Sequence, residues 1–178
     1  MSRIDSAFAR LRRENGKALI AYLTVGFPTP GALPDLVKVL ADEGVDILEL
    51  GVPFSDPLAD GATIQMASSA ALRQGVTPLG VLRAVERLRR SGLEMPIALL
   101  TYFNPVFKYG VKNFCRDSAA SGVDGLIVPD LPPEEARDLV KEARPLGLNT
   151  VFLAAPTSPV SRLKEITSFP PVSSIMSA

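Results

Sequence analysis

The clearest candidates for chemistry lie in the stretch ELGVPFSDPLADG, residues 49–61, where an apolar run ends beside a carboxylate. Glu49 lies near the end of that run, and Asp56 and Asp60 follow within the same stretch. The chain contains no histidine, so acid–base chemistry near neutral pH has to come from carboxylates, tyrosines or lysines. Catalysis by serine–histidine or cysteine–histidine pairs is excluded for the same reason. Glu49 is therefore the first candidate for proton transfer.

Each of the three carboxylates also has a purely structural interpretation. Glu49 shares a strand face with Ile47, and its carboxylate could cap a neighbouring backbone amide instead of meeting a substrate. Asp60 could be the N-cap of a helix that begins near Gly61. Asp56 belongs to a Ser-Asp-Pro sequence, which is typical of a turn, so a structural use is the better interpretation there.

The composition favours a soluble domain with a small ligand. The chain has 178 residues, 47% of them hydrophobic, with 19 basic and 19 acidic side chains that are scattered and cancel in charge. We therefore expect no nucleic acid and no membrane as partners, and no apolar run is long enough to span a bilayer. The single cysteine, Cys115, cannot form a disulfide within the chain, so we expect it to lie in the core and the protein to reside in a reducing cytoplasm. No Cys/His spacing in the sequence suggests a metal site.

Short apolar runs alternate with segments that have apolar residues at helical spacing. The joints carry hydroxyl–proline pairs typical of helix starts, Thr77-Pro78 and Ser158-Pro159. The strands read as apolar on both faces, which is typical of a parallel sheet covered by helices. The second unit is longer than the others and contains residues 49–61. The predicted strands are 18–24, 46–50, 96–102, 125–128 and 150–153.

This repeat predicts the α/β fold class, with either a doubly wound sheet or a (β/α)8 barrel. No GxGxxG or GxxxxGK[ST] sequence follows the first strand, and a barrel is therefore favoured. In a barrel, chemistry lies at the carboxyl ends of the strands, where Thr24, Glu49, Tyr102 and Asp130 fall. The segment 101–110 is predicted to be a loop that presents Phe107 as a contact surface for a protein.

Five stretches resemble the tryptophan synthase alpha subunit family, in order and at that family's spacing, over roughly residues 1–168. The stretches are ALIAYLTVGFP, DILELGVPFSDPLADGATIQ, PIALLTYFNPVFKYG, GLIVPDLPPEE and VFLAAPTSP, and PFSDPLADG is the most specific part. The resemblance implies a (β/α)8 barrel lyase of L-tryptophan biosynthesis. Its reaction is retro-aldol cleavage of indole-3-glycerol phosphate to indole and glyceraldehyde 3-phosphate.

The resemblance also implies roles for individual residues. Glu49 matches the family's catalytic glutamate, which acts as acid and base, and Asp60 matches its second catalytic acid. The loop 53–58 between them would close over the substrate. The indole pocket would be lined by Tyr22, Leu100, Ile127 and Leu153. The partner interface would contain Pro53, Asp56, Pro57, Asn104, Phe107, Asp130 and Pro132.

Partner and cofactor follow from the same resemblance. Indole would pass through a tunnel to a beta subunit that carries pyridoxal phosphate, in an α2β2 heterotetramer. The chain resembles the beta subunit in no way, and we expect no cofactor and no metal in the alpha subunit itself.

The resemblance stops near Ser168. The chain up to Ser168 provides about five βα units. The final ten residues, FPPVSSIMSA, depart from the family pattern. We hypothesise that loss of one nucleotide near the codons for residues 168–171 shifted the reading frame; the alternative is a natural short tail. The family's phosphate loops follow strands six to eight, so an alternative function is an inactive truncated barrel that lacks the phosphate site. A different phosphosugar barrel enzyme would need phosphate ligands that the sequence does not suggest.

Overall fold

A computed structural model describes residues 2–168 and 175–176. Five parallel strands form one sheet in the order β1-β2-β3-β4-β5. The strands are β1 Ile20–Thr24, β2 Ile47–Gly51, β3 Ile97–Leu100, β4 Gly125–Ile127 and β5 Asn149–Val151. The helices are α1 Arg3–Arg13, α2 Leu33–Asp42, α3 Ala62–Arg73, α4 Pro78–Arg90, α5 Phe103–Tyr109, α6 Val111–Ser121, α7 Arg137–Ala143 and α8 Val160–Ser168. This is an incomplete (β/α)8 barrel, as the sequence predicted.

The fifth predicted strand, 150–153, differs from the structure. Pairing between β4 and β5 ends at Ile127 and Val151, because β4 ends there. Beyond Phe152 the chain forms a separate strand, β6 Leu153–Ala154, which pairs in parallel with β7 Ile175–Met176. The other residues of the predicted tail, 169–174 and 177–178, lie outside the described residues. The hypothesised frame shift near residues 168–171 therefore falls almost entirely outside them as well.

The predicted insertion after β2 is confirmed. It consists of an irregular segment, residues 52–61, followed by α3 and α4. The predicted start of α4 is also confirmed, since the Thr77 hydroxyl accepts a hydrogen bond from the Gly80 amide at 3.1 Å and Pro78 is the first helical residue. The corresponding prediction at Ser158 is wrong. Helix α8 begins at Val160, and the Ser158 hydroxyl accepts from the Ala155 amide.

The segment after β3 was predicted to be a loop, and this is wrong. Residues Phe103–Tyr109 form α5, so Asn104 and Phe107 lie on a helix. Pro105 is tolerated because it falls in the first turn, where an amide donor has no partner within the helix. The carboxylate of Asp130 accepts the free Phe103 amide at 2.9 Å, which satisfies one of these donors from outside the helix.

Apolar residues pack on both faces of the sheet, as predicted. Leu48 and Leu50 point outward and are fully buried in the cluster between the sheet and the helices. Ile47 points inward and packs with Ile4 of α1 and with Ile127 of β4. Alternation along β2 therefore places Glu49 on the inner face with Ile47. None of the helices in the described part of the chain is long and apolar enough to cross a membrane.

Helix α1 covers the amino-terminal end of the sheet. Its first turn carries a reciprocal capping box between Ser2 and Asp5. Asp5 also accepts a hydrogen bond from the Asn149 side chain at 2.9 Å, and this bond ties the helix to β5. The Ile4 side chain reaches Gly125, where an added Cβ would lie only 2.8 Å from its Cδ1 atom.

Candidate active site

Glu49 lies near the carboxyl end of β2, between Tyr22 of β1 and Ala98 of β3 in register. Its side chain is half-buried, and burial raises its pKa above that of an ordinary glutamate. Within residues 2–168 and 175–176 its carboxylate accepts no hydrogen bond and forms no ion pair. The structural alternative, that Glu49 caps a backbone amide, is therefore wrong for the described residues. A carboxylic acid in this setting can exchange protons with a bound molecule.

The absence of a side chain at Gly51, two residues after Glu49, leaves room for the ring of Tyr22. A Cβ atom added at Gly51 would lie 2.0 Å from the Tyr22 hydroxyl oxygen, so this ring packs directly against the end of β2. The hydroxyl lies 3.2 Å from the Thr24 hydroxyl. Burial raises the pKa of Tyr22, and the nearby carboxylates of Asp60 and Glu49 raise it further. The two acids predicted to be catalytic are therefore brought to the same strand ends.

Asp60 lies immediately before the N-cap of α3. That N-cap is Gly61, and no side chain caps the helix, so the interpretation of Asp60 as the N-cap is wrong. The Asp60 backbone carbonyl accepts a hydrogen bond from the Gln65 amide group at 2.7 Å. The carboxylate lies near the Tyr102 hydroxyl, where it adds to burial in raising the Tyr102 pKa. It forms no ion pair within the described residues.

Three of the four predicted pocket residues lie in one apolar cluster on the inner face. Leu100 and Ile127 are in register on adjacent strands, and Leu153 packs against the same cluster. Ile127 is only 1% exposed, whereas Leu100 and Leu153 are half-buried. Tyr22 lies two strands from Leu100, on the other side of Glu49. The structure thus places an apolar surface beside the acidic side chains, and the roles of these four residues stay predictions.

The predicted partner residues lie at the same end of the sheet. Pro53 and Asn104 line one mostly apolar groove of about 380 Å³, between the segment 52–61 and α5. Phe107 is 68% exposed on α5. Pro57 and Pro132 are half-buried. Their role in binding a partner stays a prediction.

The two acids in the predicted interface have partners inside the chain. Asp56 accepts a hydrogen bond from the Ser55 hydroxyl, which agrees with a structural role in a turn. Asp130 accepts the Phe103 amide, so it holds the start of α5. Both residues are nevertheless exposed.

Tyr102 is the residue whose importance the sequence did not reveal. Its hydroxyl accepts a hydrogen bond from the Ala59 amide at 2.9 Å, and its ring packs against Phe54 with 5.5 Å between ring centroids. The available signal was its place at the end of the third predicted strand, but the sequence could not show which loop it would contact. In the described residues, no group of three or more His, Cys, Asp or Glu side chains is arranged to hold a metal ion.

The sequence model of one protein family, described as "Tryptophan synthase alpha chain", matches residues 8–170. The tryptophan synthase alpha chain of Roseiflexus castenholzii is 49% identical over 168 residues, which are 94% of this chain and 64% of that relative. The corresponding chain of Dehalococcoides mccartyi is 48% identical over 168 residues, with the same coverage. The chain thus spans 64% of the length of these two relatives.

Solved structures show the same similarity. Tryptophan synthase subunit alpha from Legionella pneumophila superposes with a TM-score of 0.93 at 35% identity, and the match covers 99% of this chain and 68% of that one. A chain of the tryptophan synthase α2β2 complex from Pyrococcus furiosus matches with a TM-score of 0.83 at 42% identity, covering 90% of this chain and 68% of that one. Some of the matching structures are thus tryptophan synthase complexes.

Proposed function

The chain belongs to the tryptophan synthase alpha chain family, and from that premise we propose that it is the amino-terminal part of a lyase. The proposed reaction is retro-aldol cleavage of indole-3-glycerol phosphate to indole and glyceraldehyde 3-phosphate. The observation that carries the proposal is the half-buried Glu49 carboxyl, which has no partner in the described residues and shares the strand ends with Asp60.

Glu49 is proposed to move both protons of the reaction. Cleavage breaks the bond between indole C3 and the glycerol side chain, so C3 must gain a proton while the adjacent glycerol hydroxyl loses one. A carboxyl group with a raised pKa carries the proton at higher pH than an ordinary glutamate does, which suits it to donate to carbon. The resulting carboxylate can then accept the hydroxyl proton.

Asp60 is proposed to stabilise the charge that develops on the substrate. When C3 is protonated, positive charge appears on the indole ring nitrogen, and a carboxylate that accepts its N–H hydrogen bond lowers the energy of that state. The position of Asp60 supports this role, because its carboxylate has no cationic partner in the described part of the chain. The apolar cluster of Leu100, Ile127 and Leu153 offers a surface for the indole ring.

The partner is proposed to be a tryptophan synthase beta subunit in an α2β2 assembly. The groove lined by Pro53 and Asn104, together with the exposed Phe107 ring, lies at the same strand ends as Glu49. A subunit bound there would receive indole directly. Pyridoxal phosphate would belong to that subunit, and the retro-aldol step proposed for this chain needs only protons and hydrogen bonds.

Residues 169–178 are proposed to be a non-family tail produced by a shifted reading frame. The family match runs through residue 170, so any shift must lie close to that point. Resequencing the coding DNA from the Ser158 codon onward tests this directly. A single restored base that opens a frame into further barrel strands would support the proposal. An unchanged frame in independent DNA would contradict it.

The lyase proposal is tested by measuring indole formation from indole-3-glycerol phosphate, with and without a beta subunit. We expect Glu49→Gln to lower turnover about 10²–10⁴-fold and Asp60→Asn to lower it about 10²–10³-fold. Asp42→Asn, an exposed carboxylate on α2, is the matched control and should retain wild-type turnover. A folded wild-type chain that forms no indole under conditions where a longer relative is active would contradict the proposal. That result would favour the inactive barrel fragment.

A further inference from the structure

We propose that Tyr102 is a positioning residue that holds the segment 53–60, and with it Asp60, in place over the strand ends. Tyr102 is not among the residues that the family resemblance assigned to the pocket or the interface. The consequence for catalysis rests on the proposed lyase function, whereas the positioning itself can be tested without it.

Tyr102 contacts this segment at both of its ends. Near the start, the Tyr102 ring packs against Phe54, with 5.5 Å between centroids and 34° between planes. Near the end, its hydroxyl oxygen accepts the Ala59 amide at 2.9 Å. Since Ala59 precedes Asp60 directly, this bond fixes the backbone from which the Asp60 side chain projects.

The segment has few other attachments. Its start is set by the Val52 amide, which donates to the Leu100 carbonyl at 2.9 Å. From residue 53 to residue 60, the described hydrogen bonds that join the segment to another strand end all go to the Tyr102 hydroxyl, from the Ala59 amide and with the Asp60 carboxylate. Leu58 is 85% exposed, so packing does not replace these bonds at the middle of the segment. An irregular segment with so few contacts depends strongly on each of them.

Tyr102 is itself rigidly held, as a positioning residue must be. It is 2% exposed and serves as the N-cap residue of α5. The preceding Thr101 amide donates to the Ile127 carbonyl at 3.0 Å, and the following Phe103 amide donates to Asp130 at 2.9 Å. The backbone on both sides of Tyr102 is thus bonded to β4 and to the loop after it.

The resulting chain of contacts runs across three consecutive strand ends. Asp130, after β4, holds the amide next to Tyr102, and Tyr102, after β3, holds the amide next to Asp60, after β2. Removing the Tyr102 hydroxyl leaves the ring packing intact and releases the Ala59 amide together with the hydrogen bond between the hydroxyl and the Asp60 carboxylate. The Asp60 carboxylate would then lose the fixed geometry it needs to meet a developing charge.

Amide hydrogen exchange of the 178-residue chain tests the positioning. We expect Tyr102→Phe to speed exchange at Ala59 about tenfold, the factor that corresponds to loss of one hydrogen bond, while amides of β3 and β4 keep their protection. Tyr109→Phe is the matched control, because the Tyr109 ring lines the groove beside Phe54 while its hydroxyl donates to Asp117 at 2.8 Å and to no described residue of the segment. Unchanged exchange at Ala59 would overturn the proposal. Loss of protection throughout the sheet would also overturn it, since Tyr102 would then support the fold in general.

Steady-state kinetics test the link to Asp60. For a wild-type protein that cleaves indole-3-glycerol phosphate, we expect Tyr102→Phe to lower kcat about tenfold and to leave KM nearly unchanged, because Asp60 acts on charge that appears in the transition state. Tyr109→Phe should change neither. An unchanged kcat beside faster exchange at Ala59 would overturn the role in catalysis. If the wild type has no turnover, the lyase proposal fails and the exchange result alone decides whether Tyr102 positions the segment.

Discussion

Two acids at opposite ends of β2, Asp46 just before it and Glu49 near its end, have opposite environments. Asp46, just before β2, accepts the Leu19 amide at 2.9 Å and pairs with Arg10, and the backbone hydrogen bond is the main reason that its pKa is lowered. Glu49, near the end of β2, has no partner in the described residues, and burial raises its pKa. The difference separates a carboxylate that supports the fold from one that is left available for a ligand.

The same contrast holds across the sheet. Before β4, the buried Asp124 carboxylate accepts hydrogen bonds from Arg3, from Arg89 and from the Ile97 amide. Arg89 in turn donates to three backbone carbonyls, so both charged groups of this buried pair have several hydrogen-bond partners. At the opposite end of the strands, Glu49 has neither a hydrogen-bond partner nor an ion-pair partner among the described residues. In barrels of this class, residues at the amino-terminal end support stability and those at the carboxyl end support chemistry.

The largest effect is expected at the amino-terminal end. Asp124→Ala should lower the free energy of unfolding by about 3–5 kcal/mol, because it leaves the Arg89 guanidinium and the Ile97 amide without their anionic partner. Urea unfolding measures this loss. Asp42→Ala breaks an exposed pair with Lys38 and should leave the midpoint nearly unchanged. Equal midpoints for the two variants would remove the distinction between the cluster and an ordinary surface pair.

The next effect concerns backbone space at the carboxyl end. Gly51→Ala should destabilise the chain by about 1–3 kcal/mol, because the new methyl group would overlap the Tyr22 ring. Gly31→Ala, where a Cβ meets nothing within 4 Å, is the control. Combining Gly51→Ala with Tyr22→Ala should recover part of the loss in a double-mutant cycle. Strict additivity would show that Tyr22 does not pack against the end of β2.

A smaller effect is expected for the helix that covers the amino-terminal end. Ser2→Ala removes the N-cap of α1 and should lower the free energy of unfolding by about 1 kcal/mol. Ser6→Ala, one turn later, removes only a bond to the Ser2 carbonyl and serves as the control in the same urea titration. A Ser2→Ala variant as stable as the wild type would mean that the capping box contributes nothing.

The smallest effect on stability is expected from Glu49→Gln, and its sign is opposite. The folded state raises the Glu49 pKa, so the folded chain holds that proton more tightly than the unfolded chain does. The corresponding stabilisation is complete below the unfolded pKa and is lost as pH rises through the folded pKa. Glu49→Gln should therefore gain stability relative to wild type as pH rises through that window. Urea midpoints at a series of pH values measure this, and a relative loss over the same window would contradict it.

The strands and their faces could be predicted from the sequence because burial on both faces leaves long apolar runs. The inward position of Glu49 followed from alternation with Ile47 alone. The residue at which β5 ends could not be predicted. Its pairing stops where the neighbouring strand β4 ends, and the sequence of β5 contains no information about the length of β4.

Helix α5 and the contacts of Tyr102 could not be predicted from the sequence for a related reason. Asn-Pro in the middle of the segment 101–110 suggests a loop, and the helix is supported there by Asp130, which is far along the chain. The bond from the Ala59 amide to Tyr102 joins residues separated by 43 positions. Local sequence carries no signal for such a pair. The sequence could therefore predict which acids lie at the carboxyl ends of the strands. It could not predict the hydrogen bonds that hold the segments carrying them.

The most direct test of the contrast between the two strand ends is a carbon-13 NMR titration of the side-chain carboxyls of Glu49 and Asp46. Loss of one signal in Glu49→Gln and of another in Asp46→Asn assigns the two resonances. We expect the pKa of Glu49 above that of an ordinary glutamate and the pKa of Asp46 below that of an ordinary aspartate. A Glu49 pKa at or below the ordinary value would contradict the claim that β2 presents a proton-holding carboxyl to a ligand.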